Sequence, residues 1–222
     1  MGGFVSRNAD HHAEVKLLQS LREEYSSNVF FSMYENRRQR EAYAMILEHL
    51  DVNHDGQLSP DEKSHAHIVL FGHSWGASAV VALARRLNRE GIPVALTVQV
   101  DSVAKPFRND SLIPSNVGQA VNFYQTHGLI HGRTKIIAAD ADRTKILGNF
   151  RLDYKDKDEP APFRAYPWMA RRFMKGHIEI ESDPQVWSQV ETLLRSQLPA
   201  KFAAADEKAP ANSNEQSLSA LR

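Results

Sequence analysis

The 222-residue sequence predicts an α/β protein, a mainly parallel sheet with helices on both faces. Three observations predict it. His67–Phe71, Pro93–Val100 and Thr134–Ala139 are short apolar runs without polar alternation, as strands buried on both faces require. Between them lie segments with helical apolar spacing. Each run also ends at a residue suited to a tight turn or a polar site: Gly72, Asp101 and Asp140.

Taken in order, Glu14–Tyr25 places Val15, Leu18, Leu21 and Tyr25 on one helical stripe, with Asp10 as a possible cap. Asn28–Tyr34 is short and aromatic, and reads as a strand. Arg37–Leu50 sets Tyr43, Ile46, Leu47 and Leu50 against a charged face, and reads as a helix. After the strand His67–Phe71, Ala77–Glu90 carries Val80, Val81, Ala84 and Leu87 on one stripe and stops before Gly91, a helix C-cap residue. Asn116–Tyr124 has Val117, Val121 and Tyr124 at helical spacing and reads as a short helix. Lys155–Pro162 is a charged surface loop, and Ile178–Ile180 is a short strand or irregular. Asp183-Pro184 caps a last helix that buries Val186, Val190, Leu193 and Leu194. These elements form one domain over 1–198 with an insert at about 37–65; residues 199–222 lack apolar periodicity and read as a disordered tail.

Composition narrows the function. Lys plus Arg is 27 and Asp plus Glu is 27, so no basic excess exists to neutralise a phosphate backbone, and nucleic acid is excluded as a partner. With no cysteine, a thiolate zinc site and a cysteine nucleophile are excluded, and any metal must bind through oxygen or imidazole. No apolar stretch approaches the roughly 20 residues that span a bilayer, and no charged-then-apolar leader opens the sequence. The expected protein is soluble and, by default, cytoplasmic; its oligomeric state is open.

The chemistry centres on Gly72-His73-Ser74-Trp75-Gly76, which matches G-x-S-x-G between a strand and a helix. So sharp a turn strains the central residue, and the flanking glycines remove Cβ atoms that would clash. The Ser74 hydroxyl then rises above the carboxyl edge of the sheet, while the Trp75 N–H at the helix N-terminus faces an oxyanion formed there. His73 reads as packing.

In this the chain resembles the α/β-hydrolase superfamily, in particular small bacterial lipase-like or thioesterase-like members with a G-H-S-x-G elbow. The resemblance covers roughly Asn28 to Leu198 and implies a serine, acid, histidine order along the chain. It implies Ser74 as nucleophile and, as base, His177, which precedes the closing helix. Asp101 and Asp140 both end strand runs; Asp101 is the first choice of acid and Asp140 the alternative, with Asp110 third and assigned to a solvated turn. Complete family members have more strands before this point, so the chain reads as N-terminally short. Gly2-Gly3-Phe4 would then supply the second oxyanion donor, through Gly3 and Phe4. A small-molecule ester, thioester or other acyl substrate follows. Phe107, Phe123, Tyr124, Tyr166, Trp168 and Phe173 are available to line its site or to pack as core, and His127 and His131 read as loop or pocket residues.

A second motif stands in the insert. Asp51, Asn53 and Asp55 occupy positions 1, 3 and 5 of a twelve-residue loop, Gly56 position 6, Gln57 position 7, Ser59 position 9 and Glu62 position 12. That is the spacing of a single EF-hand-type calcium loop, in which Gln57 offers its carbonyl and Glu62 both carboxylate oxygens. The entering helix is Arg37–Leu50, and Pro60–His65 allows only a short exit helix. Ca2+ here would be structural, a strand's length from Ser74. The competing function is a non-catalytic calcium-binding protein on a degenerate hydrolase scaffold.

Overall fold

The computed structural model describes residues 12–25, 29–106, 108–155 and 168–199. Four parallel strands form the sheet in the order β1-β2-β4-β6: β1 (Val69–His73), β2 (Val94–Val100), β4 (Val117–Tyr124) and β6 (Lys145–Arg151). Two short strands, β3 (Leu112–Ile113) and β5 (Ile137–Ala138), pair separately. Seven helices complete the described elements: α1 (Ala13–Glu24), α2 (Gln39–Leu50), α3 (Pro60–Ser64), α4 (Trp75–Arg89), α5 (Trp168–Phe173), α6 (Lys175–Ser182) and α7 (Pro184–Arg195). The α/β class with a mainly parallel sheet is as expected. Among the described residues, no helix is long and apolar enough to cross a membrane.

The strand pleat sorts side chains to two cores. Val69 and Phe71 face a cluster that includes Leu21 of α1, Ile180 of α6 and Val186, Val190 and Leu194 of α7. Leu70 faces the other cluster, with Tyr43 of α2 and Val81, Ala84 and Leu87 of α4. Helices therefore cover both faces. The Asp183 side chain accepts a hydrogen bond from the Gln185 N–H and caps α7 as the sequence predicts.

Four readings are corrected. Residues 29–34 form no strand, and Asn28 lies outside the described residues. Phe31 packs into one core and Tyr34 into the other, and Arg22 takes the Phe31 carbonyl at 2.5 Å, so tertiary anchors override strand propensity. Asn116–Tyr124 is not a helix but holds the inner strand β4, which packs Val117 and Ala120 in one core and Val121 and Phe123 in the other, so it is buried on both faces and carries no simple alternation. Within Thr134–Ala139 only Ile137–Ala138 is strand. The sheet is completed instead by Lys145–Arg151, whose charged ends and central glycine hide it in the sequence. Ile178–Ile180 belongs to α6, where every residue from Gly176 to Glu181 is buried, so its alternation of isoleucine and glutamate is not a strand pattern. Residues 156–162 of the expected surface loop and the tail from residue 200 lie outside the described residues.

Because the Ala95 N–H donates to the Ile68 carbonyl and the Ser74 N–H to the Val100 carbonyl, Val69 and Phe71 turn their backbone groups away from β2. No other strand pairs with that edge among the described residues. A cleft of about 660 Å³ runs along it, walled by Leu21, Phe31, Ile46, Leu50 and Leu194; Ser74, Asp101 and His177 do not line it.

A buried pair ties the start of α1 to α6: His12 Nδ1 bonds to Glu181 Oε1. Burial opposes both charges, but each partner outweighs it, raising the His12 pKa and holding the Glu181 carboxyl at about 2. Glu181 stabilises the fold above its ordinary value near 4.5, and that contribution is lost as pH falls toward about 2. His12 contributes below 6.5, and its share is lost as pH rises through the raised value. The melting-temperature gap between wild type and Glu181→Gln should therefore be widest between about pH 4.5 and 6.5 and shrink on either side. A gap independent of pH would contradict this.

Candidate functional site

β1 passes into α4 within one residue. Ser74 is the N-cap of α4 and takes φ 57° and ψ −126°, outside the regions that ordinary side chains favour. The turn closes so tightly that a Cβ on Gly72 would lie 2.8 Å from the Gly76 carbonyl carbon, so only glycine fits there. Trp75 is the first residue of α4, and the positive end of that helix's dipole lies beside the Ser74 hydroxyl.

The sheet register places the acid. His73 pairs with Val100, and Val100 with Phe123, so Ser74, Asp101 and Gln125 follow the ends of three neighbouring strands. Asp101 is wholly buried, with φ 44°. Its Oδ1 accepts from the Gly132 N–H at 2.7 Å and the Gln125 N–H at 3.2 Å. Its Oδ2 accepts from Gln125 Nε2 at 2.7 Å and lies 2.6 Å from His177 Nδ1. Burial alone would raise its pKa, but the His177 and Gln125 hydrogen bonds win and hold it below the usual carboxylate range.

His177 enters from α6 and completes the chain of contacts, its Nε2 lying 2.9 Å from Ser74 Oγ. Ser74 is 8% and His177 4% exposed, so the array is shielded from bulk water. The three residues singled out from the sequence are thus joined by two hydrogen bonds. A nucleophile, a base and an acid in this relation can move a proton from the serine hydroxyl to the imidazole while the carboxylate fixes the tautomer and balances the charge.

The other candidates fall elsewhere. Asp140 is half-buried and is used by its own turn, its Oδ1 accepting from the Asp142 N–H at 3.0 Å; it does not hold His177. Asp110 is not solvated but buried, bonded to Ser102 Oγ and Arg133 Nε at 2.5 Å each, which fastens the segments around Asp101 and Gly132. His127 meets Asp153 at 3.1 Å, and His131 is exposed. Phe123 is core and stacks on Phe150, whereas Trp168 and Phe173 lie exposed on α5. Gly2, Gly3, Phe4, Phe107 and Tyr166 lie outside the described residues.

His73 is buried and packs, as expected, and the ring it stacks on is that of His177. Sequence reasoning missed Gln125, which supplies two of the four contacts to Asp101. Its only signal in the sequence is a polar residue directly after an apolar segment whose spacing suggests a helix and hides the strand.

The insert loop is closed by its own side chains. Asp51 accepts from the Asp55 and Gly56 N–H groups at 3.1 and 2.9 Å, Asn53 from Asp55 at 3.0 Å and Asp55 from Gln57 at 2.8 Å. Gly56 has φ +80°. Glu62 reaches back across the loop to the Val52 N–H at 2.9 Å, and with Ser59 forms a capping box at α3. The Ser59 N–H and hydroxyl and the Val52 N–H keep the Glu62 carboxyl below its usual range and thus ionised. Among the described residues, no group of three or more histidine or acidic side chains is gathered as a ready metal cage. The donor set itself, three carboxylates, one amide oxygen and a backbone carbonyl, suits a hard oxygen-seeking cation.

Comparison with models of known protein families, with curated proteins and with solved structures finds no match.

Gly132 gives the site a stability test independent of activity. A Cβ there would lie 2.5 Å from the Asp101 backbone carbon and from Oδ1. Gly132→Ala should cost about 1–3 kcal/mol in denaturant unfolding as the loop is pushed off the carboxylate. Unchanged stability would show that the loop does not bear on Asp101 so closely.

Proposed function

We propose that the protein is a serine hydrolase of the α/β-hydrolase superfamily that cleaves a carboxylic ester or thioester through an acyl-enzyme. The observation that carries the reading is the continuous chain Ser74 Oγ, His177 Nε2, His177 Nδ1, Asp101 Oδ2, with contacts of 2.9 and 2.6 Å. Ser74 Oγ attacks the acyl carbon as His177 takes its proton, and Asp101 stabilises the imidazolium. The tetrahedral oxyanion forms at the N-terminus of α4, where the helix dipole favours negative charge and the Trp75 N–H would donate to it. His177 then protonates the departing alcohol or thiol, leaving the acyl group on Ser74. Water, deprotonated by His177, releases the acid and restores the serine.

The competing reading, a non-catalytic calcium-binding scaffold, gives no reason for a strained serine at φ 57° to meet an imidazole backed by a buried carboxylate. Strain of this kind is kept where chemistry uses it. Ser74→Ala should reduce turnover of a short-chain p-nitrophenyl ester to background with an unchanged thermal transition. Asp101→Asn should lose on the order of 10³–10⁴ in kcat, and Asp140→Asn should stay within about threefold. Equal activity in Ser74→Ala, or a reversed order of the two aspartates, would overturn the assignment.

Within the same proposal, Asp51, Asn53, Asp55, Glu62 and the Gln57 carbonyl hold a structural Ca2+. The ion would supply charge balance among the acidic side chains and pin α2 to α3 at the entry to β1. The five residues of β1, about 16 Å of strand, separate that end from Ser74. Chelation should lower the melting temperature and calcium restore it, since binding energy appears as stability. Glu62→Gln should erase that shift yet leave ester turnover within about twofold. A calcium-independent melting temperature would remove the ion from the account, and a large loss of activity in folded Glu62→Gln would make it more than structural.

A further inference from the structure

The proton relay uses Ser74, His177 and Asp101 and leaves a second buried histidine beside them. His73 is the last residue of β1 and shares the face of Phe71 by the strand's period of two. That is the face covered by α6, the helix that brings in His177. The two imidazoles stack with centroids 4.6 Å apart and planes 29° apart. His73 is 3% exposed, and its Nε2 is buried with no hydrogen-bond partner among the described residues. Its nitrogen chemistry at that atom is unused; its flat ring is what the site employs.

We propose that His73 is a positioning residue, whose ring fixes the plane of the His177 imidazole and presents an aromatic face to the imidazolium formed when His177 takes the Ser74 proton. This rests on the serine-hydrolase reading. The charged or titratable groups bearing on His73 are His177, Asp101 and Glu181, the last already paired with His12. Burial holds the His73 pKa down at about 4, so it stays neutral while His177 carries the transient charge. An aromatic face over a desolvated cation stabilises that cation, and it does so only once the proton has moved. The effect therefore falls on kcat and not on substrate binding.

The test compares His73→Phe, which keeps a flat ring, with His73→Leu, which keeps only apolar volume, by kcat and KM on the p-nitrophenyl ester, melting temperatures confirming that each is folded. His73→Phe should stay within about threefold of wild type, while His73→Leu should lose about tenfold in kcat at unchanged KM. If His73→Leu unfolds at the assay temperature, His73→Met supplies the same ringless comparison. Equal kcat in the ring-bearing and ringless variants, or a loss confined to KM, overturns the proposal while leaving the hydrolase reading intact. A wild type without turnover overturns both.

Discussion

The Asp101 carboxylate is a full charge with no access to water, and an unpaired charge in such a place would neutralise itself or unfold its surroundings. Four hydrogen bonds prevent this, two from Gln125, one from the Gly132 N–H and one from His177. The three residues that make them come from different parts of the architecture. Gln125 follows β4, Gly132 belongs to the loop beyond it, and His177 rides on α6. Folding cannot bury the acid without bringing these together, so the stability of the core and the geometry of the site are one requirement.

The sheet supplies the rest. In a parallel sheet all strands end on the same side, and the register of β1 against β2 and of β2 against β4 aligns the residues that follow them. Ser74 is further constrained from below, since the Gly72 contact leaves no room for the turn to relax. Asp110 extends the support outward, joining Ser102 beside the acid to Arg133 beside Gly132. The acidic insert lies at the opposite end of β1 and keeps its own closure through Glu62. The open outer edge of β1 and its apolar cleft lie along the strand's middle, apart from the three central side chains.

Much of the site was legible because its signals are local. A glycine-flanked serine between a strand and a helix, an aspartate ending an apolar run and a late histidine before a proline-capped helix each announce a position in a parallel sheet. What was illegible depended on non-local contacts. Val117, Val121 and Tyr124 fit a helical stripe, and only pairing with β2 and β6 makes the segment a strand. Lys145–Arg151 looks polar because it is the edge strand, and Ile178–Ile180 alternates although both neighbouring glutamates are buried in a helix. Asp110 resembled a turn residue because nothing in the sequence reveals that Arg133 and Ser102 converge on it. The stacking of His73 could have been inferred from strand alternation, had the position of α6 been known.

The central claim is that Ser74 is a nucleophile activated by His177, and covalent trapping tests it most directly. A fluorophosphonate incubated with the whole protein should add one adduct by intact mass, mapped by peptide sequencing to Ser74, and the labelling rate should fall at least a hundredfold, about 2.7 kcal/mol of activation, in folded His177→Ala. An adduct on another residue, no adduct at all, or equal labelling of wild type and His177→Ala would contradict the account.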